Sequence, residues 1–549
     1  MFFIVAIVLY LPGIWWGLPY ATAPDRFKPW GPDELAPLGP IAELYSVFVS
    51  PDPKWHGFSF NPQYPLFHYI VQALTVGPYV LFLWLTGRLS QPSVTYPYGL
   101  SDPVAALADM TLLARSVNLL MAAAVVVIAY RTATILWDRR TGVITGVLVL
   151  LTYPMFYYAR TSNVDMGALF WTSLGLAVFA ACLRDSLTPR RSVWLGIFAA
   201  LATATKDASY AAFLMLLLVL VPRHLRQQRQ NGVGWRQAWR APLVGLLFGL
   251  AAYVVASGFL FHPGRYLSHL SYIVRGSRQY PVYYSTPATP HGYVSLAGET
   301  VGHIMDALGA PIAAFALVGL VMCLFRVPET LGLALPALGI WLGVIIPVRF
   351  VMFRFVIIMA YALAFFAAYA LSAALSVRRP AFHRAAQLCL VIVCGWSFVR
   401  GADLTYQMIY DSRYEAADWL RRNARSGDRI GYYDHPFKLP PLNSEVVTAP
   451  MPGQLISSRV WPPHQVAPEF IMVIPIQPFE SSDEWALPDD TYQALRDGSL
   501  GYQQILGLQT RSLFSRRPVT FVNPPVKVFV RKDHLARLAD KHPMIEIDY

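Results

Sequence analysis

Two adjacent carboxylates, Asp33 and Glu34, follow the first apolar run of the chain. They come directly after the helix-breaking stretch Trp30-Gly31-Pro32. A carboxylate held in such a loop can act as a general base, which accepts the proton of an attacking hydroxyl or amine. The alternative is that Pro32 and Asp33 begin a short helix and that Asp33 is its cap or first-turn acid. Spacing alone leaves both interpretations open.

A third carboxylate, Asp165, begins the apolar run Met166–Leu183. The distribution of arginines along the chain predicts that Asp165 lies on the same side of a membrane as Asp33 and Glu34. An acid at a membrane boundary is a candidate functional residue, although a solvated cap is an equally good explanation. The sequence therefore predicts up to three carboxylates for one site.

Four basic residues are candidates for binding a phosphate on that same face. They are Arg160, Lys206, Arg349 and Arg354. A guanidinium matches phosphate oxygens with a rigid fork of donors and stays charged near a membrane. The alternatives are snorkelling toward lipid headgroups and, for Lys206, a local ion pair with Asp207.

The elements that position these side chains are membrane spans. The 549 residues are 55% hydrophobic and 14% charged, and their mean hydropathy is +0.41. This is more apolar surface than a soluble fold buries, and apolar runs recur from Phe2 to Val399. The net charge of +12 comes largely from arginines in short connections between those runs, so we expect membrane lipids and no nucleic acid as partners.

Topology follows from the connection Pro222–Arg240, which contains five arginines and no acid and is therefore predicted to be cytoplasmic. Counting from it gives about eleven spans within residues 1–400 of a multi-pass plasma-membrane protein. The first outer loop is then 19–111, and the aromatic, proline-broken segment Tyr64–Thr86 is predicted to be interfacial or re-entrant. Spanning is the alternative for that segment.

Residues 401–549 are charged and proline-rich and are predicted to form a small extracytoplasmic α/β domain. Its predicted strands are Val446–Val447, Phe470–Ile476 and Val526–Arg531. No independent catalytic motif accompanies them, so we expect this domain to shape the acceptor side.

The order of these features resembles the GT-C superfamily, in its branch of protein O-mannosyltransferases and aminoarabinose transferases. The resemblance covers about residues 1–430. It depends on Asp33-Glu34, Asn61–Leu66, Ala114-Arg115, Trp137–Gly142, Tyr157–Arg160 with Asp165, Thr205–Asp207, Arg349–Arg354, Tyr414–Leu420 and Gly427–Ile430. No single motif is decisive, but their order is specific.

This resemblance implies a mainly α fold, a polytopic transmembrane bundle of GT-C type with the small C-terminal domain. It implies that Asp33 is the principal catalytic carboxylate, with Glu34 beside it and Asp165 as a second acid. It also implies a polyprenyl- or dolichyl-phosphate-linked sugar donor. Where the family often has Lys or His before its juxtamembrane proline this chain has Tyr64, so Lys206 or Arg354 is expected to contact the phosphate instead.

The predicted activity is inverting sugar transfer on the extracytoplasmic face to a glycan, lipid or protein acceptor, with Asp33 as general base. A divalent cation such as Mg²⁺ or Mn²⁺ is possible but not required by three scattered carboxylates, and no metal-ligand spacing is found. Two other classes stay open. One is a transporter or flippase, which would more often show repeated halves, and the other is a noncatalytic envelope-assembly protein.

Overall fold

The computed structural model describes residues 1–49, 64–276, 284–433, 436–451, 466–474, 489–514, 519 and 521–539. Asn61–Gln63 of the proline-containing motif and the end of the run Phe470–Ile476 lie outside these residues. The described chain is mainly helical, with one small sheet.

The α-helices run through most of the described chain. They are α1 (Phe2–Tyr10), α2 (Gly39–Phe48), α3 (Phe67–Leu85), α4 (Pro103–Leu136), α5 (Arg139–Leu150), α6 (Tyr153–Tyr158), α7 (Val164–Arg184), α8 (Pro189–Thr205), α9 (Ser209–Gln230), α10 (Trp235–Ala238), α11 (Arg240–Ala256), α12 (Pro263–Ser271), α13 (Pro290–Leu308), α14 (Ala310–Arg326), α15 (Leu335–Ile340), α16 (Ile346–Val348), α17 (Ile357–Leu375), α18 (Pro380–Ile409), α19 (Ser412–Asn423) and α20 (Asp489–Arg496). Short 3₁₀ or π segments are Tyr272–Gly276, Pro328–Ala334, Trp341–Ile345, Phe353–Val356, Pro436–Lys438 and Lys532–Arg537.

Eight helical stretches of the described chain are long and apolar enough to cross a membrane. They are Phe67–Leu85, Pro103–Leu136, Val164–Arg184, Ser209–Gln230, Trp235–Ala256, Pro328–Val348, Phe353–Leu375 and Pro380–Asn423. The pair α13 and α14, bent by 110° at Gly309, would make a ninth. The chain is therefore a multi-pass membrane protein.

Three further spans that the sequence predicts form shorter helices. The helices α1, α5 and α8 have 9, 12 and 17 residues, whereas about 20 are needed to cross the hydrocarbon core. The count of about eleven spans stays a prediction. So does the interfacial position of Tyr64–Thr86, whose helix α3 has 19 residues and meets the length of a span.

Local sequence explains where several helices begin. The side chain of Asp138 accepts a hydrogen bond from the Thr141 N–H and so caps α5. Thr188 caps α8, and Pro189 occupies its first position, where no intrahelical N–H is needed. The most buried of the eight stretches is Phe353–Leu375, with 83% of its apolar window inside the protein.

The chain divides into two compact units. The first unit consists of Met1–Ile14, Leu38–Pro78 and Leu113–Ala402, and the second of Trp15–Pro37, Tyr79–Leu112 and Asp403–Tyr549. The sequence boundary at residue 401 thus falls within α18, and parts of the predicted first outer loop belong to the same unit as the C-terminal residues.

The sheet of the second unit has five strands in the order β2-β1-β3-β5-β4. They are β1 (Arg429–Tyr432), β2 (Val447–Pro450), β3 (Phe470–Val473), β4 (Tyr502–Leu508) and β5 (Val526–Arg531). β1 pairs in parallel with β2 and β3, whereas β5 is antiparallel to β3 and β4. The helix α19 packs Trp419 and Leu420 into the core formed with these strands.

Candidate functional site

Asp165 lies in the first turn of α7, and the polar residue Asn163 is the N-cap of this helix. The Asn163 side chain caps the helix by accepting a hydrogen bond from the Asp165 N–H at 3.2 Å. A carboxylate in this turn is stabilised by the partial positive charge of the helix N-terminus. The side chain is 3% exposed, so this acid is buried rather than solvated.

Lys206 is the residue that pairs with Asp165. It follows the last residue of α8, and its ammonium forms an ion pair with Asp165 Oδ1 while the lysine side chain stays 15% exposed. The other oxygen, Asp165 Oδ2, is buried and has no hydrogen-bond partner among the residues that the structure describes. The local alternative, a pair between Lys206 and Asp207, is not formed, because Asp207 instead lies 3.1 Å from His269 Nε2.

Arg354 joins these two residues from a third segment, the 3₁₀ turn Phe353–Val356 that precedes α17. Its guanidinium carbon lies 5.8 Å from the centroid of the Phe355 ring, and the Lys206 ammonium lies 5.7 Å from the same centroid. Both cations therefore lie against one aromatic ring, within the range of a cation–π attraction.

Asp165, Lys206 and Arg354 line one cavity of about 350 Å³, a volume that includes space open to solvent. Besides Asp165, Lys206 and Arg354, it is lined by Ala168, Ala208, Ser209, Ile340, Val344, Phe355, Ile357 and Ile358. The lining thus combines an apolar wall with two cations and one buried carboxylate. Such a cavity suits an amphipathic molecule with an anionic group.

Buried amides fix the loop that carries Asp165. The Asn118 amide donates hydrogen bonds to the carbonyls of Thr161 and Asn163 at 2.6 and 2.8 Å. The Gln72 amide donates to the Ser162 carbonyl at 2.9 Å. Sequence reasoning missed both residues, although a polar side chain within an apolar run is a signal that could have found them.

Arg160 lies in the interior instead of at this cavity. It is fully buried, and its guanidinium donates to the carbonyls of Pro12 at 2.6 Å and Leu9 at 3.0 Å, and also to Phe156. The carbonyl ends of helices carry partial negative charge, so this arginine stabilises the end of α1. The structure therefore gives Arg160 a structural role, in which each of its three side-chain nitrogens donates to a backbone carbonyl.

Arg349 also lies apart from the cavity lining. It ends α16 with a left-handed backbone at φ 54°, and its guanidinium carbon lies 5.4 Å from the centroid of the Tyr284 ring. Of the four predicted phosphate-binding residues, the structure brings Lys206 and Arg354 together with Asp165.

Asp33 and Glu34 belong to the second unit and are both half-buried. The Glu34 N–H donates to the Gly31 carbonyl at 3.2 Å, which closes a turn. A β-carbon at Gly31 would collide with the Glu34 carboxylate, so the Glu34 side chain folds back over this turn. The turn, rather than a helix cap, positions the adjacent Asp33.

Aromatic packing holds the residue that precedes this turn. The Trp30 indole donates to the Leu439 carbonyl at 3.0 Å, and the Arg413 guanidinium carbon lies 3.6 Å from a Trp30 ring centroid. Arg413 is itself fixed by two hydrogen bonds of 2.8 Å to the buried Asp411 carboxylate. The loop of the predicted base is thus fixed by residues near the start of the C-terminal region.

No group of three or more His, Cys, Asp or Glu side chains is placed to hold a metal ion in the part of the chain that the structure describes. The one carboxylate in the cavity already faces an ammonium group. Lys206 and Arg354 give the cavity two positive charges that can stabilise a developing negative charge.

Comparison with known proteins gives structural matches only. No protein-family model matches the sequence, and no curated protein matches it. The crystal structure of ArnT from Cupriavidus metallidurans bound to undecaprenyl phosphate is similar over 96% of this chain and 97% of ArnT, with a TM-score of 0.51 and 14% identity.

Two other solved structures are more distant. The Archaeoglobus fulgidus oligosaccharyltransferase in complex with Zn and sulfate matches at 13% identity and a TM-score of 0.41, over 82% of this chain and 62% of that one. The arabinofuranosyltransferase AftD from Mycobacteria matches at 13% identity and a TM-score of 0.38, over 98% of this chain and 40% of that one. The ArnT similarity extends over nearly the whole of both chains and confirms the predicted fold class. The chain therefore has the GT-C fold, a transmembrane helical module combined with a small α/β C-terminal region.

Proposed function

We propose that this protein is a membrane glycosyltransferase that transfers a sugar from a polyprenyl-phosphate donor to an acceptor hydroxyl or amine on the extracytoplasmic face. The observation that carries the proposal is the cavity in which Lys206 and Arg354, together with the buried Asp165, lie beside a mainly apolar lining. A polyprenyl phosphate has the same division into an apolar chain and a charged end.

The two cations suit the phosphate for complementary reasons. Arg354 offers a planar fork of donors, and Lys206 offers a compact charge with three donors. Both charged groups lie near the Phe355 ring, and this contact restricts the positions that they adopt. The ArnT structure was solved with undecaprenyl phosphate bound, and this supports a lipid phosphate as the donor class here.

In the proposed reaction the bond between the sugar C1 and the phosphate oxygen breaks, and its electron pair stays on the phosphate. Lys206 and Arg354 stabilise this growing negative charge. The acceptor oxygen or nitrogen attacks C1 from the opposite face, which inverts the configuration at that carbon. Asp33 takes the acceptor proton as general base, which requires its carboxylate to come within hydrogen-bond reach of the acceptor.

Asp165 has a positioning role in this mechanism. Its Oδ1 holds Lys206, while the backbone of its own loop is fixed by Asn118 and Gln72. Because the carboxylate is buried, it orients the ammonium without being hydrated itself. Glu34, folded over Gly31, shapes the turn that carries Asp33.

The test is transfer from radiolabelled polyprenyl-phosphate sugars in membranes containing wild-type protein, Asp33→Asn or the matched variant Glu34→Gln. General acid–base groups typically contribute about 10²–10⁴-fold, so we expect Asp33→Asn to lose transfer by that factor. Glu34→Gln keeps the size and the turn and should retain most activity.

Two outcomes would contradict the proposal in different ways. If Asp33→Asn transfers as well as wild type while Glu34→Gln does not, Glu34 is the base. If folded wild-type protein transfers no sugar from any donor, the enzymatic assignment is wrong and a transporter becomes the better explanation.

A further inference from the structure

The helix α12 has its polar and apolar faces reversed relative to a helix on a protein surface in water. Its one charged residue, Arg265, is only 5% exposed and His269 only 2%, whereas Leu267 is 58% exposed. In water the charges of such a helix face the solvent and its apolar stripe faces the core. The reversed arrangement is typical of a helix whose exposed face lies in lipid.

Both buried polar side chains of α12 have partners inside the protein. The Arg265 Nε–H donates to Glu43 Oε2 at 2.8 Å, and Arg265 Nη2 lies 2.6 Å from the same oxygen. Glu43 belongs to α2 and is fully buried. His269 Nε2 lies 3.1 Å from Asp207 Oδ1. A segment within a membrane requires such pairing, because lipid offers no water to solvate an unpaired charge.

The side chains that α12 and its neighbours expose form one apolar patch. Its members, each at least 40% exposed, are Phe48 and Val49 at the end of α2, Phe259, Leu260 and Phe261 before α12, and Leu267 on α12. The Phe48 and Phe261 rings connect its two parts, with centroids 5.0 Å apart. Residues 241–274 contain no acid and no lysine, and their only arginine is the buried Arg265. The exposed surface of this stretch therefore carries no acid, lysine or arginine.

This apolar patch continues the exposed face of α11. The helix α11 belongs to the stretch Trp235–Ala256, which is long and apolar enough to cross a membrane and of whose apolar window only 17% is buried. Its exposed side chains include Leu247 at 65% and Val255 at 46%. Lipid covers such a face in a span, and Phe259 follows Val255 by only four residues. No exposed charge separates the lipid-covered face of α11 from the apolar patch.

The non-helical link between α11 and α12 satisfies its own backbone donors. The N–H groups of residues 258–262 all donate within the protein, to the Val255 carbonyl (3.1 Å), Ser257 Oγ (3.4 Å), the Val254 carbonyl (3.1 Å) and twice the Gly258 carbonyl (3.1 and 2.9 Å). Away from water every backbone N–H has to find such a partner inside the protein. The exposed Ser268 follows the same rule, because its hydroxyl donates to the Gly264 carbonyl at 3.0 Å. The backbone of the link thus fits a location inside a membrane.

We propose that α12, the link before it and the end of α2 lie within the membrane leaflet at which α11 ends, with the apolar patch against lipid acyl chains. This location does not depend on the proposed reaction. It has a consequence for the cavity, because His269 contacts Asp207, which is adjacent to Lys206. The loop that carries Lys206 is then held beside the membrane by a helix that is itself embedded in it.

The test uses nitroxide spin labels on single introduced cysteines of the full-length protein in lipid nanodiscs. Leu260→Cys and Leu267→Cys report on the apolar patch. Leu247→Cys reports on the exposed face of α11, and Gln493→Cys reports on an exposed position of the polar helix α20. The native cysteines outside the core are first replaced by serine, whereas the two buried ones stay; the replacements are Cys389→Ser and Cys394→Ser.

Collision rates with two relaxation agents distinguish lipid from water, since oxygen concentrates in hydrocarbon and a charged or polar nickel chelate stays in water. We expect the ratio of oxygen to nickel collisions at residues 260 and 267 to match that at residue 247, and to exceed that at residue 493 severalfold. A ratio at either patch position as low as at residue 493 would place it in water and overturn the proposal. Low collision rates with both agents would show that protein covers the patch, for example a second copy of this chain, and would overturn it as well.

Charge substitution gives a second readout that needs no label. Leu267→Asp places a carboxylate on the proposed lipid-facing side, and aspartate is too short to reach the headgroups as lysine can. We expect the melting temperature of this variant in nanodiscs to fall well below that of wild type, whereas Leu267→Met and the control Gln493→Asp should stay close to it. A melting temperature of Leu267→Asp equal to that of wild type would show that this face of α12 meets water.

Discussion

Replacing Lys206 by Met separates two tasks of this lysine, stabilising the protein and holding the donor phosphate. The variant leaves the Asp165 carboxylate, only 3% exposed, without its ion-pair partner. Removing one member of a buried pair costs about 3–5 kcal/mol. The N-terminus of α7 stabilises the carboxylate in wild type and variant alike, so it does not reduce the difference, and we expect a loss of about 3–5 kcal/mol.

The converse variant, Asp165→Asn, should destabilise the protein less. Lys206 is 15% exposed, so an ammonium group that has lost its partner can turn toward water, whereas the carboxylate cannot. In the double variant Asp165→Asn with Lys206→Met no buried charge is left unpaired. Its stability should therefore return close to that of Asp165→Asn alone.

The assay is a double-mutant cycle measured twice on detergent-solubilised protein, once by melting temperature and once by kcat/KM for the polyprenyl-phosphate donor. We expect melting temperature to recover in the double variant and donor kcat/KM to stay at least 10²-fold low, because Lys206 is still absent. An unchanged melting temperature in Lys206→Met would refute the buried ion pair. Recovery of donor turnover in the double variant would refute the contact between Lys206 and phosphate.

Two further predictions concern residues that hold the loops in place. Asn118→Leu removes the donors to the carbonyls of residues 161 and 163, and should lower the melting temperature and kcat together, with a stability loss of about 1–3 kcal/mol; transfer kinetics equal to wild type would show that the loop needs no such support. Arg413→Lys keeps the charge but cannot form the two-point contact with Asp411 or cover Trp30 as a flat guanidinium does, so limited proteolysis should cut the N-terminal loop faster than in wild type; unchanged cleavage would contradict this role.

The helix break at Lys206 could be predicted because two charges interrupt an apolar run, and the structure places α8 and α9 on either side of it. The partner of Lys206 could not be predicted in the same way. Asp165 is 41 residues away, and only the packing of the helices determines which acid an ammonium meets. Local spacing offered Asp207, the adjacent residue, as an alternative.

Arg160 shows the limit of reasoning from charge distribution. An arginine at the end of an apolar run is expected to face headgroups or a phosphate, since burying a charge is unfavourable. Here the carbonyls at the end of α1 compensate that cost, with donor–acceptor distances of 2.6 and 3.0 Å to Pro12 and Leu9. These carbonyls are about 150 residues away in the sequence, so no local sequence pattern predicts that they accept hydrogen bonds from Arg160.

In the C-terminal region, the apolar sequence pattern predicts strands correctly where both faces of the strand are buried. The run Val526–Arg531 was predicted with the bounds that β5 has, and all but its last residue are buried. The sequence does not predict the strand β4, because the polar residues Gln503 and Gln504 interrupt its apolar pattern. It lies at the edge of the sheet, where one face can remain polar.

The contacts around Trp30 join residues that are made at very different times. Gly17 donates its backbone N–H to the Tyr414 hydroxyl across 397 positions of chain. Ribosomes add about 5–20 residues per second, so the N-terminal loop emerges on the order of tens of seconds before Tyr414 exists. During that interval the loop with Asp33 lacks the partners that define its shape. This loop therefore reaches its final conformation only after synthesis of the chain has passed Tyr414. A protein truncated before Asp403 would keep membrane helices, but the loop that carries Asp33 and Glu34 would lack the contacts that order it.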